Sequence, residues 1–190
     1  MASKLLGVDV SRARWLTSDL RLRVLGPDPH WLRVPIGTVN RMLPHVTRLV
    51  ADLPSDTTPD VVWVSGADEL LVHTDTLRLE ASPGVLMATL QVACDQLREP
   101  ASVTVPFATG TDKAPRGLFL ATYDVPTGPP EVVTRWADAL RAFAWESVIT
   151  LASEIAAASG TDGRKRPLVV GAIGAGKGVL QVMPKPRAAS

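Results

Sequence analysis

Hydrophobic and polar residues repeat with different periods along the chain, and these periods predict the order of its elements. Apolar and charged residues alternate over residues 20–24, a period of two that favours a strand with one buried face. A Gly-Pro-Asp-Pro turn signal follows at residues 26–29, and residues 30–34 favour a returning strand. Residues 1–35 are therefore predicted to form a basic N-terminal hairpin.

Residues 36–54 carry apolar side chains at spacings of three and four, which is typical of a helix with one buried stripe. Thr38 is a candidate cap for its start. Pro44 leaves two alternatives, because an interior proline removes a hydrogen bond and clashes with the preceding turn. Either the helix kinks there, or it begins near Leu43 with Pro44 in its first turn. The stripe consists of Val39, Met42, Leu43, Val46, Leu49, Val50 and Leu53.

Residues 60–125 are the most strand-like part of the sequence. The short apolar run Val61–Val64, bounded by Asp60 and Gly66, is typical of a strand buried on both faces, and Trp63 is expected in the core. Alternating patterns and turn signals then follow at short intervals, and they predict an antiparallel meander of four to five strands.

A long helix is predicted over residues 130–160, because proline suits the first turn of a helix and Gly160 suits the position just past its end. The helix is apolar on two flanks, so it must be covered on more than one side. Either a curved sheet wraps it or a partner chain supplies the second surface. One stripe is Val133, Trp136, Leu140, Phe143, Ala144, Leu151 and Ile155, and the other is Val132, Ala139, Ala142, Trp145, Ile149, Ala152 and Ala156.

Two tryptophans of this helix, Trp136 and Trp145, are nine residues apart. At about 100° per residue they point to opposite sides of the helix, and one of them is expected to contact a partner or ligand. The candidate interface or ligand residues are Trp136, Leu140, Phe143, Trp145 and Ile149.

A C-terminal hairpin is predicted over residues 167–184, with a glycine-rich turn between strands at residues 168–170 and 179–183. Residues 171–178 also satisfy the Gly-x4-Gly-Lys spacing of a phosphate-binding loop. Such a loop needs a Ser or Thr after the lysine and a helix behind it. Position 178 is glycine and the following pattern is strand-like, so a hairpin tip is the favoured interpretation.

Together these elements predict a single α+β domain over residues 1–190. We expect a curved, mainly antiparallel sheet packed on one long C-terminal helix, with the shorter helix in the N-terminal half and the C-terminal β-hairpin. In outline this arrangement resembles helix-grip and hotdog architectures, in which a sheet curls around one helix. The resemblance is one of architecture and includes no sequence motif.

The composition argues against a disordered chain and against a membrane-spanning protein. Hydrophobic residues make up 46% and charged residues 21% of 190 residues, which excludes a disordered chain. No apolar run reaches the roughly 18–20 residues of a membrane-spanning helix, and Asp9 interrupts any signal-peptide core, so a cytoplasmic protein is expected. Arginine outnumbers lysine 15 to 5 and Asn40 is the single asparagine, which indicates a high-GC, bacterial-type composition.

Charge is unevenly placed although its sum is only +1. Residues 1–50 carry eight basic and three acidic side chains, residues 51–100 carry two and nine, and residues 151–190 carry six and two. Either this uneven distribution only reflects which charged residues happen to lie in loops, or it gives the molecule complementary faces that favour association between copies. The acidic middle would repel a polyanion, which argues against a nucleic-acid partner despite arginines near Trp15 and Trp31.

Candidate chemistry is sparse. Cys94 is the single cysteine, and the three histidines have no metal-ligand spacing, so no metal or cofactor is expected. Cys94 and His73 are imaginable as nucleophile and base, but Cys94 falls on an apolar strand face and core packing is favoured. Acidic clusters such as Asp68 and Glu69 are best explained as turns and solvated faces.

Three functions follow from this sequence. The first is a non-catalytic structural or assembly subunit that acts through self-association or by docking into a larger complex. The second is a helix-grip or hotdog-like module that binds a small apolar ligand between sheet and helix. The third is an enzyme whose catalytic residues converge only in three dimensions.

Overall fold

The structure is a computed structural model that describes residues 31–54, 56–109, 119–120, 125–159 and 167–187. Its class is α+β, as the sequence predicts. In chain order the elements are β1 (Leu32–Pro35), α1 (Ile36–Val50), β2 (Asp60–Ser65), β3 (Asp68–Ser82), β4 (Val85–Ala93), β5 (Ala101–Ala108), β6 (Phe119–Leu120), α2 (Pro130–Ala158), β7 (Leu168–Gly176) and β8 (Val179–Pro186).

The predicted meander forms one sheet with the order β2-β3-β4-β5-β6 and antiparallel pairing throughout. Tight turns join its first strands, with Gly66 and Gly84 at positive φ, where glycine carries no Cβ penalty. β3 changes register between His73 and Arg78, and such a bulge bends a strand. The buried residues of β3 and β4 alternate with outward ones, so one face of this sheet covers the core.

The remaining strands form a second antiparallel sheet with the order β1-β8-β7. The sequence predicted one curved sheet, whereas the structure has two that meet at their corners. Gly84 N–H donates to the carbonyl of Ala175, and Gly178 N–H donates to the carbonyl of Ala81, both at 3.0 Å. Of the predicted N-terminal hairpin, β1 pairs with β8, and residues 20–24 lie outside the described residues.

The glycine-rich segment is a strand and not a flexible loop. β7 continues to Gly176, and a turn at Lys177 and Gly178 leads directly into β8. Gly171 lies at an irregularity in the pairing, where an added Cβ would meet Met183 Cε at 3.0 Å. Because strand follows strand here, the segment has no helix N-terminus with which to bind a phosphate.

Helix α1 begins at Ile36 after Pro35, with no side-chain cap, so the prediction of Thr38 as its cap is wrong. Pro44 lies inside the helix, which begins seven residues before Leu43, so the alternative in which the helix begins near Leu43 is wrong. Thr47 Oγ1 donates to the carbonyls of Leu43 (3.0 Å) and Pro44 (3.2 Å). Val39, Leu43 and Val46 are buried as predicted, whereas Leu49 is exposed, because the stripe turns away from the core in the last turn.

Helix α2 is 29 residues long, about 44 Å at 1.5 Å per residue. Trp136 and Trp145, on its opposite flanks, are 5% and 0% exposed. The five-stranded sheet, the β7–β8 hairpin and α1 all pack against this helix. The chain therefore supplies cover on both flanks itself, with two sheets and α1 in place of the single curved sheet that the first alternative expected.

Candidate interaction edge

Four of the five candidate residues from the sequence lie deep in the core of the chain. Leu140, Phe143, Trp145 and Ile149 are buried. The ring centroids of Trp145 and Phe107 are 6.1 Å apart, and those of Phe143 and Trp63 are 5.7 Å apart. Their role as interface or ligand contacts stays a prediction, and it requires a change in this packing.

The fifth candidate, Trp136, lies beside an open groove of about 410 Å³. The Asp68 carboxylate forms an ion pair with Arg135 and lies 3.5 Å from Gln96 Nε2. Five of the seven side chains that line the groove are charged or polar, although apolar atoms make up most of its exposed lining. Its lining consists of Asp68, Gln96, Pro130, Glu131, Thr134, Arg135 and Trp136.

A second cluster lies where β2 begins. His73 Nδ1 is 2.8 Å from Asp60 Oδ1. A carboxylate at Nδ1 favours the tautomer that leaves Nε2 as an acceptor. Thr76 Oγ1 donates to the carbonyl of His73 and accepts the Gln91 N–H, which holds the bulge of β3 in place.

The pairing of Cys94 with His73 is not formed. Cys94 is partly buried and packs against the core. His73 lies between the buried residues Val72 and Thr74 along β3, so its side chain points to the outer face of the sheet. The packing of Cys94 agrees with the favoured interpretation of this residue as a small hydrophobe.

The described strand edges differ in how they are covered. On the side of β3 away from β4, β2 pairs only as far as His73, and no described strand lies beside residues 75–82 there. Asn40 of α1 takes its place: Nδ2 donates to the Leu79 carbonyl (3.0 Å), and the Leu79 N–H donates to Oδ1 (2.8 Å). Together with the bond from Gly178 to Ala81, this side chain closes the edge.

Two other edges are also protected. Beyond β5, Thr104 exchanges two backbone hydrogen bonds of 2.8 Å with Thr127. The outer strand of the second sheet, β1, is four residues long and contains exposed Arg33 and Pro35. Short length, charge and proline are common means of preventing an edge from pairing with another chain.

Within the described residues, the edge of β2 from Val61 to Ser65 has none of these protections, and its one charged residue, Asp60, lies at the start of the strand. Among the described residues no strand pairs with its outer side. The tight turn at Gly66 makes Ser65 and Asp68 a hydrogen-bonded pair, and the bond from Thr74 N–H to Pro59 O (2.8 Å) continues the same alternation. The backbone groups of Asp60, Val62 and Val64 therefore point away from β3.

The outer face of β2 is also apolar. Trp63 is 2% exposed, as predicted, but Val62 is 49% exposed, so the prediction of a strand buried on both faces is wrong. Val62 pairs with Leu71, and Leu71 pairs with Ala93, so these half-buried side chains continue the row across the sheet. We call Val62, Val64, Leu71 and Ala93 the β2 patch.

The comparisons with known proteins add no function. The chain matched no family model, no curated protein and no solved structure. Neither of the two described helices has an apolar stretch long enough to cross a membrane. Over the same described ranges, no three His, Cys, Asp or Glu side chains come together as candidate metal ligands.

Proposed function

We propose that this chain is a non-catalytic assembly subunit of the cytoplasm, and that the edge of β2 is where it associates with a copy of itself or docks into a larger complex. The observation that carries the proposal is that the residues of β2 are typical of an interior strand, whereas the strand lies at the edge of its sheet. β2 has the apolar sequence of an interior strand, yet it lies at the end of the sheet with Val62 half exposed.

Both the backbone and the side chains of β2 support this proposal. Unpaired N–H and C=O groups along an edge are a template for a further strand, and strand addition is a common mode of protein recognition. The side chains of the β2 patch supply apolar area next to that template. From Val61 to Ser65 the strand has no charge, proline or glycine that would oppose pairing.

The long helix no longer supports a partner. Its two apolar flanks were the strongest reason in the sequence to expect a second surface from another chain. Because Trp136 and Trp145 are both enclosed by this chain, that reason is removed, and the edge of β2 carries the proposal by itself.

The groove beside Trp136 favours a second candidate, the binding of a small ligand. Its charged groups are Asp68, Glu131 and Arg135, and an apolar ligand would have to displace water from them without offering hydrogen bonds. A ligand with both polar and apolar parts fits this lining better than the purely apolar one expected from the sequence, because charged side chains and apolar atoms share it. The pair of His73 and Asp60 is the described arrangement nearest to acid–base chemistry, and it lies outside this groove.

Site-specific photo-cross-linking in cells tests the proposed docking edge. A photo-reactive phenylalanine analogue at position 62 is expected to give one discrete adduct, either with a second copy or with another protein. Adding Val64→Lys should abolish this adduct, since a charge on the same edge opposes strand pairing.

The matched control is the same analogue at position 85, because Val85 is also exposed (40%) but lies within the sheet between β3 and β5. No adduct is expected there. An absence of adducts at position 62, or the same set of adducts at both positions, would overturn the proposed function.

A further inference from the structure

We infer that the occupant of the β2 edge is a second copy of this chain, which pairs antiparallel to β2 about a two-fold axis through Val62. This inference rests on the proposed function and names its partner. The two five-stranded sheets then join into one continuous sheet across the dimer.

The backbone of β2 is self-complementary in this register. The outward groups belong to Asp60, Val62 and Val64, which are evenly spaced about Val62. With the axis at Val62, each Val62 faces its equivalent, and each Asp60 faces Val64 of the second copy. Every outward N–H and C=O of the strand then has a partner in a hydrogen-bonded pair.

A shift of the axis by one residue loses part of this pairing. With the axis at Trp63, Val62 faces Val64 of the second copy, but Asp60 faces Gly66 of the second copy. Gly66 belongs to the turn, at a φ of 67°, and cannot continue the ladder. The outward groups of Asp60 would remain unpaired, so the register centred on Val62 is favoured.

The side chains agree with the same register. Residues that face each other across an antiparallel pair lie on the same side of the sheet, so the two Val62 side chains meet on the outer face. Leu71 and Ala93 continue the row behind each of them. The β2 patches of the two copies therefore form one apolar surface across the axis.

Charge also permits a second copy. Each chain has a formal net charge of only +1, so two copies repel each other little. The two Asp60 carboxylates are four residues apart along the paired strands, about 13 Å at 3.3 Å per residue. That exceeds the screening length of about 8–10 Å in physiological salt, so these like charges do not oppose the pairing.

The contact is small, and a weak dimer is therefore expected. β2 has six residues, and pairing along one such edge falls below the roughly 1,200 Å² of a stable interface. Dimerisation should depend on protein concentration, and light scattering should find a mass that rises from 20.2 kDa towards twice that value.

Disulfide trapping tests the register. In a Cys94→Ala background, Val62→Cys places two thiols directly opposite, with Cα atoms about 5.5 Å apart, which is within the range for a disulfide. Val64→Cys is the matched control, since its two thiols would be about 13 Å apart along the strands. Oxidation of the full chain should trap the Val62→Cys dimer at least tenfold faster than the Val64→Cys dimer.

Each other outcome contradicts a defined part of the inference. Equal trapping at both positions would overturn the register, because an axis at Trp63 makes the two pairs equivalent. No trapping at either position, in variants with an unchanged thermal midpoint, would overturn the second copy as occupant. In that case a discrete adduct with another protein at position 62 in cells would still support the proposed function, and no adduct would remove both.

A charge on the edge provides an independent check by light scattering. Val62→Lys should hold the mass at 20.2 kDa at all concentrations, whereas Val85→Lys should behave as the unaltered chain. A Val62→Lys variant that dimerises as readily as the unaltered chain would overturn the inference.

Discussion

Two stretches of the five-stranded sheet have no neighbouring strand on one side within the described part of the chain, and described residues cover one of these stretches and not the other. Along residues 75–82 of β3, Asn40 and Gly178 bond to the outward backbone groups. Along β2, no strand among the described residues covers the outward groups of Val62 and Val64. Both stretches are extended, but they differ in composition. Residues 75–82 include Asp75, Arg78 and Glu80, whereas Val61–Ser65 has no charged side chain, so the apolar stretch is the one that no described strand covers.

The edge of β3 is closed by residues that are far apart in the sequence. Covering β3 uses Asn40 of α1 and the tip of the β7–β8 hairpin, where Gly178 is at positive φ, and these two features come from distant parts of the sequence. No described residue covers the apolar edge of β2 in the same way. That contrast is the physical basis for proposing β2 as the site of association.

The largest expected change in stability comes from the buried face of β2, and the exposed face of the same strand is the control. Trp63→Ala removes a buried ring that contacts Trp136 and Phe143, and should lower the free energy of unfolding by about 3–5 kcal/mol. Val62→Thr keeps a branched side chain at an exposed position and should change it by less than about 0.5 kcal/mol. Urea denaturation at low protein concentration measures both, and a comparable loss in the two variants would mean that the outer face is already covered.

The next largest change in stability is expected at the edge of β3 that Asn40 covers. Asn40→Ala leaves the Leu79 N–H and C=O without their partner in a partly buried position, and should cost about 2–3 kcal/mol. The control is Arg41→Ala, whose exposed bond to Thr38 Oγ1 (3.1 Å) should contribute less than about 0.5 kcal/mol. Equal stability of the two variants would show that Asn40 does not hold this edge.

The smallest effect is expected at the hairpin tip. Gly178 has a φ of 69°, and no atom lies within 4 Å of an added Cβ, so Gly178→Ala should cost about 1 kcal/mol through backbone strain alone. Gly37→Ala, also in open space but within α1, should instead stabilise the protein by about 0.5 kcal/mol. Thermal unfolding that moves in the same direction for both variants would contradict this account.

Sequence patterns predicted the elements whose signals are local. The prolines before Glu131 and the two apolar stripes predicted α2, and the structure places it at Pro130–Ala158. Alternation and turn residues likewise predicted the meander, because the period of a half-buried strand is written in consecutive residues. The α+β class follows from these elements together.

The candidate edge could not be predicted in the same way. An apolar run such as Val61–Val64 reads alike in an interior strand and in an edge strand, since the difference depends on which strand lies beside it. Asn40 gives no local signal either, because it bonds to Leu79, 39 residues away. The division into two sheets is likewise set by contacts between distant residues, such as Gly84 with Ala175.

Amide hydrogen exchange of Val62 and Leu79, followed over a range of protein concentrations, tests the account most directly. At low concentration the Leu79 N–H should be protected by Asn40, while the Val62 N–H exchanges rapidly. At high concentration Val62 should become protected at least tenfold, while Leu79 stays unchanged. A Val62 amide that is already protected in the dilute protein, or that stays unprotected at every concentration, would contradict the claim that β2 is an open edge completed by a second copy.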